Sequence, residues 1–360
     1  MRIVKVEAVP FDIQLIEPFR IAFETITSTM GILVQIHTDE NIVGMGEGVP
    51  TTIITGETQE GAIHAVNKYL APTLFGKDPF EIGKLIAQMD KVVLGNSSAK
   101  AAVDIALHDI LGKAINKPLY NLLGGYVHDV SSDCTIGIKK PEEMAKDALA
   151  IVEKGFNTIK VKIGVDVAED VERVRRVREA VGDDIVLRVD ANQGYSVKAA
   201  IRVVHKLEPY QIQLVEQPVP AWNIEGLAMV RRAVSAPIMA DESVHSPQDA
   251  VEIIKREAAD IINIKLMKAG GIFKARQIAT VAEAAGIPCI VGCMEETKVS
   301  ITAAAHFAVS TENVREADLD SPLFLREDPV MEGGIEYEQG MLKVPSLPGI
   351  GVVLKENWRY

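Results

Sequence analysis

The chain has 360 residues, with 38 Lys and Arg against 50 Asp and Glu, for a formal net charge of −12. Its length and 48% hydrophobic content supply core for one large or two ordinary domains. The acidic balance argues against a general binder of nucleic-acid backbones, which needs clustered cations, and no apolar run nears the roughly 18 residues that span a bilayer. Cys134, Cys289 and Cys293 cannot all pair with one another and show no CxxC spacing, which argues against a disulfide framework. With an N-terminus that lacks a signal-peptide pattern, they point to a reducing, cytoplasmic location. The basic run Arg173, Arg175, Arg176 and Arg178 is interleaved with Glu169, Asp170, Glu172 and Glu179, and reads as a solvated helix face.

In chain order, β-branched runs at Ile3–Val9 and Ile32–His37, with a turn at Asp39–Asn41 before Ile42–Gly44, predict antiparallel strands. From Glu60 to Leu123 the period becomes helical, as in Ala99–Leu107, so residues 1–125 read as an α+β domain. Gly44-Met45-Gly46-Glu47-Gly48-Val49-Pro50 lacks the Gly-Lys-Ser/Thr of a phosphate loop and is expected among loops over the mouth of the second domain. Beyond Gly125 short apolar strands alternate with amphipathic helices. The strands are Cys134–Ile138, Thr158–Ile163, Ile185–Asp190, Ile212–Glu216, Ile238–Asp241, Ile261–Leu266, Pro288–Gly292 and Val314–Leu319. Polar strand ends at 162, 190, 216, 241 and 265 recur every 24 to 28 residues, one βα unit each. This spacing predicts a (β/α)7β TIM-like barrel over 126–322, with a doubly wound sheet as the alternative. The Gly/Pro-punctuated tail, 323–360, is expected to return to the N-terminal α+β cap.

Barrel strands should be continuously apolar, yet these carry charges. Lys160 and Lys162 share one face of their strand, Asp190, Glu216 and Asp241 end the next three, and Lys265 ends another. Active sites of this fold lie on that face. Three carboxylates on adjacent strand ends form an oxygen cage suited to a hard divalent cation. Lysines flanking such a cation would be pushed toward the neutral amine, as a carbon-acid base requires. His108 and His306 lie in apolar helical patterns and read as core.

Lys160-Val161-Lys162, Asp190-Ala191-Asn192-Gln193-Gly194, Glu216-Gln217-Pro218, Asp241-Glu242-Ser243 and Asn263 to Gly271 together resemble the enolase superfamily, in its muconate-lactonising-enzyme-like subgroup, over the whole chain. The resemblance implies one Mg2+ per subunit on Asp190, Glu216 and Asp241, opposed catalytic lysines Lys162 and Lys265, and an assisting Lys160. The ion would stabilise the charge of an enediolate, with Lys162 handling the (R) and Lys265 the (S) proton. At the last strand, Ala317-Asp318-Leu319-Asp320-Ser321-Pro322 resembles the dipeptide epimerases, including the L-Ala-D/L-Glu epimerase family, where two aspartates receive the free ammonium group. The same residues also suit a turn or cap. By resemblance Thr135 and the backbone near Cys293 touch substrate, and Cys293 has no His partner that would make it a nucleophile.

One departure bears on specificity. Ala-Glu epimerases carry an arginine in the N-terminal loop where this chain has Glu24, and Glu295 stands where they look apolar. Two anions favour a cationic or neutral dipeptide over Ala-Glu, unless Glu24 points to water or pairs with Arg20. N-Acylamino acid racemisation and o-succinylbenzoate synthesis use substrates without a free ammonium group, against Asp318 and Asp320. Acid-sugar dehydration needs a His–Asp pair that is missing around 290–296. A non-catalytic Mg2+- or peptide-binding barrel would lack a ligand or base, and none is missing. The expected partners are a small dipeptide and further copies of the chain, with no nucleic acid and no membrane.

Overall fold

The structure is a computed structural model that describes residues 1–356 and 358. Strands β1 (Ile3–Arg20), β2 (Thr25–Thr38) and β3 (Val43–Gly48) form an antiparallel sheet in that order. Alternation gives β2 two faces. Ile32, Val34 and Ile36 pack with Ala99, Ala102, Val103 and Ala106 of the helix Ser97–Ala114, while Leu33, with Phe11, Ile13 and Leu15 of β1, joins the core that runs into the barrel.

The glycines expected in mouth loops instead lie within β3. A Cβ on Gly44, Gly46 or Gly48 would stand 2.1, 1.9 or 2.5 Å from the carbonyls of Ala106, Ala102 and Ser98. Glycine at every second position thus strips one face of the strand, so that a helix can lie directly on its backbone.

After the short strand β4 (Asp129–Ser131), eight parallel strands follow one another around a barrel: β5 (Cys134–Ile136), β6 (Thr158–Lys162), β7 (Val186–Asp190), β8 (Ile212–Glu216), β9 (Ile238–Ala240), β10 (Ile261–Lys265), β11 (Cys289–Gly292) and β12 (Val314–Asp318). A parallel bridge between Ser132 and Ala317 joins the last strand to the first. Among the described residues seven crossovers carry helices, which makes the fold a (β/α)7β barrel. Asp166, Ser196, Asn223, Ser246 and Thr297 cap helices that follow the strands, each accepting a backbone N–H.

The basic helix face departs from expectation in part. Arg175 and Arg176 do pair with Glu172 at the surface. Arg173 and Arg178 are buried: Arg173 binds Asp170, and Arg178 donates to the carbonyls of Tyr210, Gly182 and Ile185. They hold neighbouring crossovers together, a use of arginine that composition does not separate from solvation.

The tail supplies β13 (Val330–Gly333), the hairpin β14 (Glu336–Glu338) and β15 (Met341–Lys343), and β16 (Val352–Leu354). The hairpin pairs with β4. Leu325 bridges Leu15, Gly349 O accepts from Leu119 N, and Asp109 Oδ1 accepts from Ile350 N, so the tail touches both the antiparallel unit and the barrel.

Buried carboxylates of the antiparallel unit also cap barrel helices. Glu47 of β3 accepts Thr297 N at 2.8 Å, Thr297 Oγ1 at 2.6 Å and Ser300 N at 2.9 Å at the start of Lys298–Val309. Asp104 accepts Ile272 N at 2.5 Å at the start of Ile272–Ala284. Both satisfy donors that a helix leaves open at its N-terminus. A Glu47→Ala variant orphans three buried donors and is expected to lose at least about 2 kcal/mol in urea unfolding; a loss under ~0.5 kcal/mol would mean that water replaces the carboxylate.

His306 is fully buried, as its apolar pattern implied, accepting Tyr120 N at Nδ1 and reaching Ile350 O through Nε2. Burial lowers it to about 4 from 6.5. The unfolded chain therefore binds a proton below pH 6.5 that the folded chain refuses until about pH 4, and stability falls as the pH drops through that window. Between pH 7 and pH 5 this amounts to about 2 kcal/mol, and urea midpoints of a His306→Gln variant should lack that part of the acid dependence.

Candidate functional site

The lysines and carboxylates singled out by their strand positions meet at the C-terminal mouth of the barrel. Register places Lys162 beside Asp190 and Asp190 beside Glu216, while Asp241 follows Ala240 at the end of β9. The three carboxylates thus come from β7, β8 and the end of β9, with a lysine strand on either flank, β6 and β10. Lys162 Nζ lies 2.7 Å from Asp190 Oδ2, and Lys265 Nζ lies 2.9 Å from Asp241 Oδ2. Lys160 Nζ sits between three acids, 3.1 Å from Asp190, 2.6 Å from Glu216 and 2.7 Å from Asp318. All three lysines and all four acids are buried.

The donor set fits a hard cation. Glu216 Oε2 and both carboxylate oxygens of Asp241 are buried without a directed hydrogen bond, facing only ammonium groups. Burial, with Asp190 and Asp241 nearby, pushes Glu216 up to about 8 against the pull of Lys160. Burial and Asp241 push Glu242 up to about 7. Negative charge here exceeds the positive charge facing it, which is the condition a divalent cation relieves. Against burial, Lys265 and Lys268 hold Asp241 well below its usual range, and Lys162 and Lys160 lower Asp190.

The same carboxylates set the charge of two of the lysines. Burial would lower Lys160 and Lys265, but Asp318, Glu216 and Asp190 around the first, and Asp241 beside the second, leave both well above the usual ammonium value. The carboxylates face them directly, so a downward push toward the free amine requires those charges to be neutralised by something else.

Asp318 ends β12, and Asp320 Oδ2 accepts Thr135 N from β5 at 2.6 Å. Asp133, Asp318 and Asp320 each present an oxygen within 4.8 Å of the others. Against burial, Lys160 pulls Asp318 down to about 2, whereas burial and Asp318 push Asp320 up to about 6. This second acid group is already served by Lys160 on Asp318, by Thr135 N on Asp320 and by Arg188 on Asp133, at 2.7 Å. It suits a monocation with several N–H donors more than a bare metal ion.

Thr135, Lys160, Lys162, Lys265, Cys293, Glu295, Asp318 and Asp320 line one cavity of about 50 Å³. Burial and the neighbouring Asp320 and Asp318 push the Cys293 thiol well up, so it is no nucleophile. Glu24 lies outside this cavity, exposed at the β1–β2 turn, on an adjoining groove of about 470 Å³ that shares Glu295 with it. No ion pair joins Glu24 to Arg20 among the described residues.

Sequence reasoning assigned no role to Asn192, Glu242, Asn263, Lys268, Asp133 or Arg188. Lys268 Nζ reaches Asp241 Oδ1 at 2.5 Å, Asn263 Nδ2 donates to Glu216 Oε1 at 2.7 Å, and Asn192 Nδ2 donates to Glu242. Arg188 was visible as a charge two residues before Asp190 on the same strand face. Its partner Asp133 lies 55 residues away, outside any local pattern.

Two family descriptions cover the chain: a mandelate racemase/muconate lactonizing enzyme N-terminal domain over residues 3–124, and an enolase C-terminal domain-like region over 143–358. The chain belongs to the enolase superfamily. Within it, the sequence is 45% identical over 354 residues to a hydrophobic dipeptide epimerase of Enterococcus faecalis, covering 98% of this chain and 99% of that one. It is 37% identical to an L-Lys-D/L-Arg epimerase of Methylococcus capsulatus, with the same two coverages. The substrate-liganded L-Ala-D/L-Glu epimerase of Bacillus subtilis superposes with a TM-score of 0.96 at 42% identity, covering 98% of this chain and 99% of that one. The Enterococcus enzyme, solved with Mg and the dipeptide L-Leu-L-Tyr, superposes at 0.95. Dipeptide epimerases are thus among the enolase-superfamily members that this chain resembles in both sequence and fold, as is the N-succinyl Arg/Lys racemase of Bacillus cereus, 38% identical with a TM-score of 0.96.

Supporting contacts usually tune metal affinity 10- to 100-fold. An Asn263→Ala variant, which strips Glu216 Oε1 of its donor, is expected to bind Mg2+ about 10-fold or more weakly in calorimetric titration. An unchanged affinity would show that Glu216 needs no orientation from Asn263.

Proposed function

We propose that this chain is a Mg2+-dependent dipeptide epimerase, an isomerase that inverts the α-carbon of one residue of a dipeptide by two-lysine proton transfer. The observation that carries the reading is the pair of lysines, Lys162 on β6 and Lys265 on β10, each engaged with a different member of the carboxylate set between them. Asp190, Glu216 and Asp241 would hold the cation. When bound, it would supply charge stabilisation to a substrate carboxylate and offset the acids that hold Lys265 protonated.

The rest follows from the chain's own groups. One lysine, as the free amine, takes the α-proton from its side of the substrate, and the opposite lysine, as the ammonium, delivers a proton to the other face. Substrate and product differ only in configuration, and the two lysines exchange protonation states. Lys160, held between Asp190, Glu216 and Asp318, keeps a fixed positive charge beside the reacting carboxylate. Asp318 and Asp320 receive the dipeptide's ammonium group through charge-assisted hydrogen bonds, which favours dipeptides over N-acylated substrates. We take residues 1–125 with 323–360 as the cap and 126–322 as the catalytic unit.

For substrate class, Glu295 on the cavity and Glu24 on the adjoining groove support a cationic or neutral side chain over a glutamate. The Methylococcus relative named for Lys and Arg and the Enterococcus relative named for hydrophobic dipeptides are consistent with that choice.

The test is α-deuterium incorporation from D2O with Mg2+ across a dipeptide library. The wild-type protein should exchange and epimerise, and Lys162→Ala and Lys265→Ala should each lose epimerisation by about 10²–10⁴-fold. Absence of exchange with every dipeptide, or epimerisation above a tenth of wild type in either variant, defeats the mechanism. Turnover of L-Ala-L-Glu that matches every Lys- or Arg-containing dipeptide defeats the specificity reading alone.

A further inference from the structure

The cavity that holds the lysines is about 50 Å³, far short of the roughly 300 Å³ at the lower end of ligand pockets. A second chamber of about 200 Å³ adjoins it, between β5, the helix Pro141–Glu153, the end of β1 and the turn Ser321–Phe324. Phe19, Thr135 and Phe324 line both spaces. Phe19 and Phe324 face each other with ring centroids 5.3 Å apart and planes tilted by 38°, so an aromatic pair forms part of the partition. Beyond it the chamber is walled by Ile136, Ile151 and Ala150, and its rim carries the exposed Lys154 along with Lys139, the latter tied to Glu17 at 2.5 Å and Asp147 at 2.9 Å.

We propose that this chamber is the subsite for the side chain of the dipeptide's first residue, the one that bears the free ammonium group and is not inverted, and that it selects an aliphatic side chain of Leu or Met size. The inference rests on the epimerase reading and specifies it. An ammonium on Asp318 and Asp320 sets the first residue beside Thr135, because Thr135 N is bonded to Asp320 Oδ2. Free volume on that side is the chamber. Glu295 follows β11 and opens on the groove of Glu24 instead, so the two side chains of the substrate leave the site in different directions. The wall chemistry then divides selection: aliphatic and aromatic surface inside a rim of paired charges for the first residue, carboxylates unpaired among the described residues for the second. The Phe19–Phe324 pair joins the cap to the C-terminal turn, so a side chain entering the chamber contacts cap and barrel at once.

The experiment compares kcat/KM for pairs of dipeptides with the same second residue and either Ala or Leu in first position, in wild-type protein, Ala150→Phe and Ile151→Ala. Ala150 is at the helix surface, so its replacement fills the chamber without entering the core. The wild type should prefer Leu over Ala, Ala150→Phe should lower the Leu:Ala ratio at least tenfold, and Ile151→Ala should shift preference toward Met and Phe, in line with the 10- to 200-fold that a methylene or two commands in an apolar pocket. A ratio unchanged in both variants overturns the chamber assignment while exchange with dipeptides continues. Failure of every dipeptide to exchange in the wild type overturns the epimerase reading itself.

Discussion

Like charges are crowded where water cannot reach them, and most of what is distinctive in this molecule answers that constraint. Asp190, Glu216 and Asp241 are fully buried on neighbouring strand ends, with Asp318, Asp320 and Glu242 close by. Isolated buried carboxylates are costly, and the fold meets the cost with Lys160, Lys162, Lys265, Lys268 and Arg188, all brought in by parallel strands or the turns that follow them. The compensation is incomplete at Glu216 and Glu242, whose carboxyls rise to about 8 and 7. A fully compensated cluster would be a structural ion-pair network; this one keeps a deficit of positive charge at Glu216 and Glu242, which is the feature the proposed cation would relieve.

A barrel mouth open to water could not sustain such electrostatics. Leu15 and Phe19 of the antiparallel unit line the cavity at that mouth, and the unit is secured by carboxylates that end on barrel helices: Glu47 on Lys298–Val309 and Asp104 on Ile272–Ala284. Glycines 44, 46 and 48 let β3 lie against the helix that carries Asp104, so strand, helix and barrel lock in one stack. The same attachment fixes the end of β1, and with it Phe19 and the turn bearing Glu24, relative to the lysines. The positions of Phe19 and Glu24 relative to the lysines are thereby set by one docking geometry.

Much of the site was legible because barrel topology turns sequence period into position. A polar residue recurring every 24 to 28 positions must recur at the same end of successive strands, and Lys160 and Lys162 must share a face because strand side chains alternate. Local pattern failed where partners are far apart in the chain or where one residue type has two uses. Arg173 and Arg178 matched a solvated face yet serve buried carbonyls and Asp170. The glycines of β3 had the composition of a loop because nothing local announced the helix backbone pressed against them.

The sequence by itself determined the barrel, the antiparallel unit before it and the identity of the charged strand ends, since periodicity and residue chemistry are properties of the chain read in order. Only the tertiary structure decided which charges meet. Lys268 with Asp241, Asp133 with Arg188, Thr135 with Asp320, and Phe19 with Phe324 are separated by 27 to 305 residues. Contacts of that range depend on barrel closure and on the seating of cap and tail, and closure is a property of the whole sheet that no window of sequence contains.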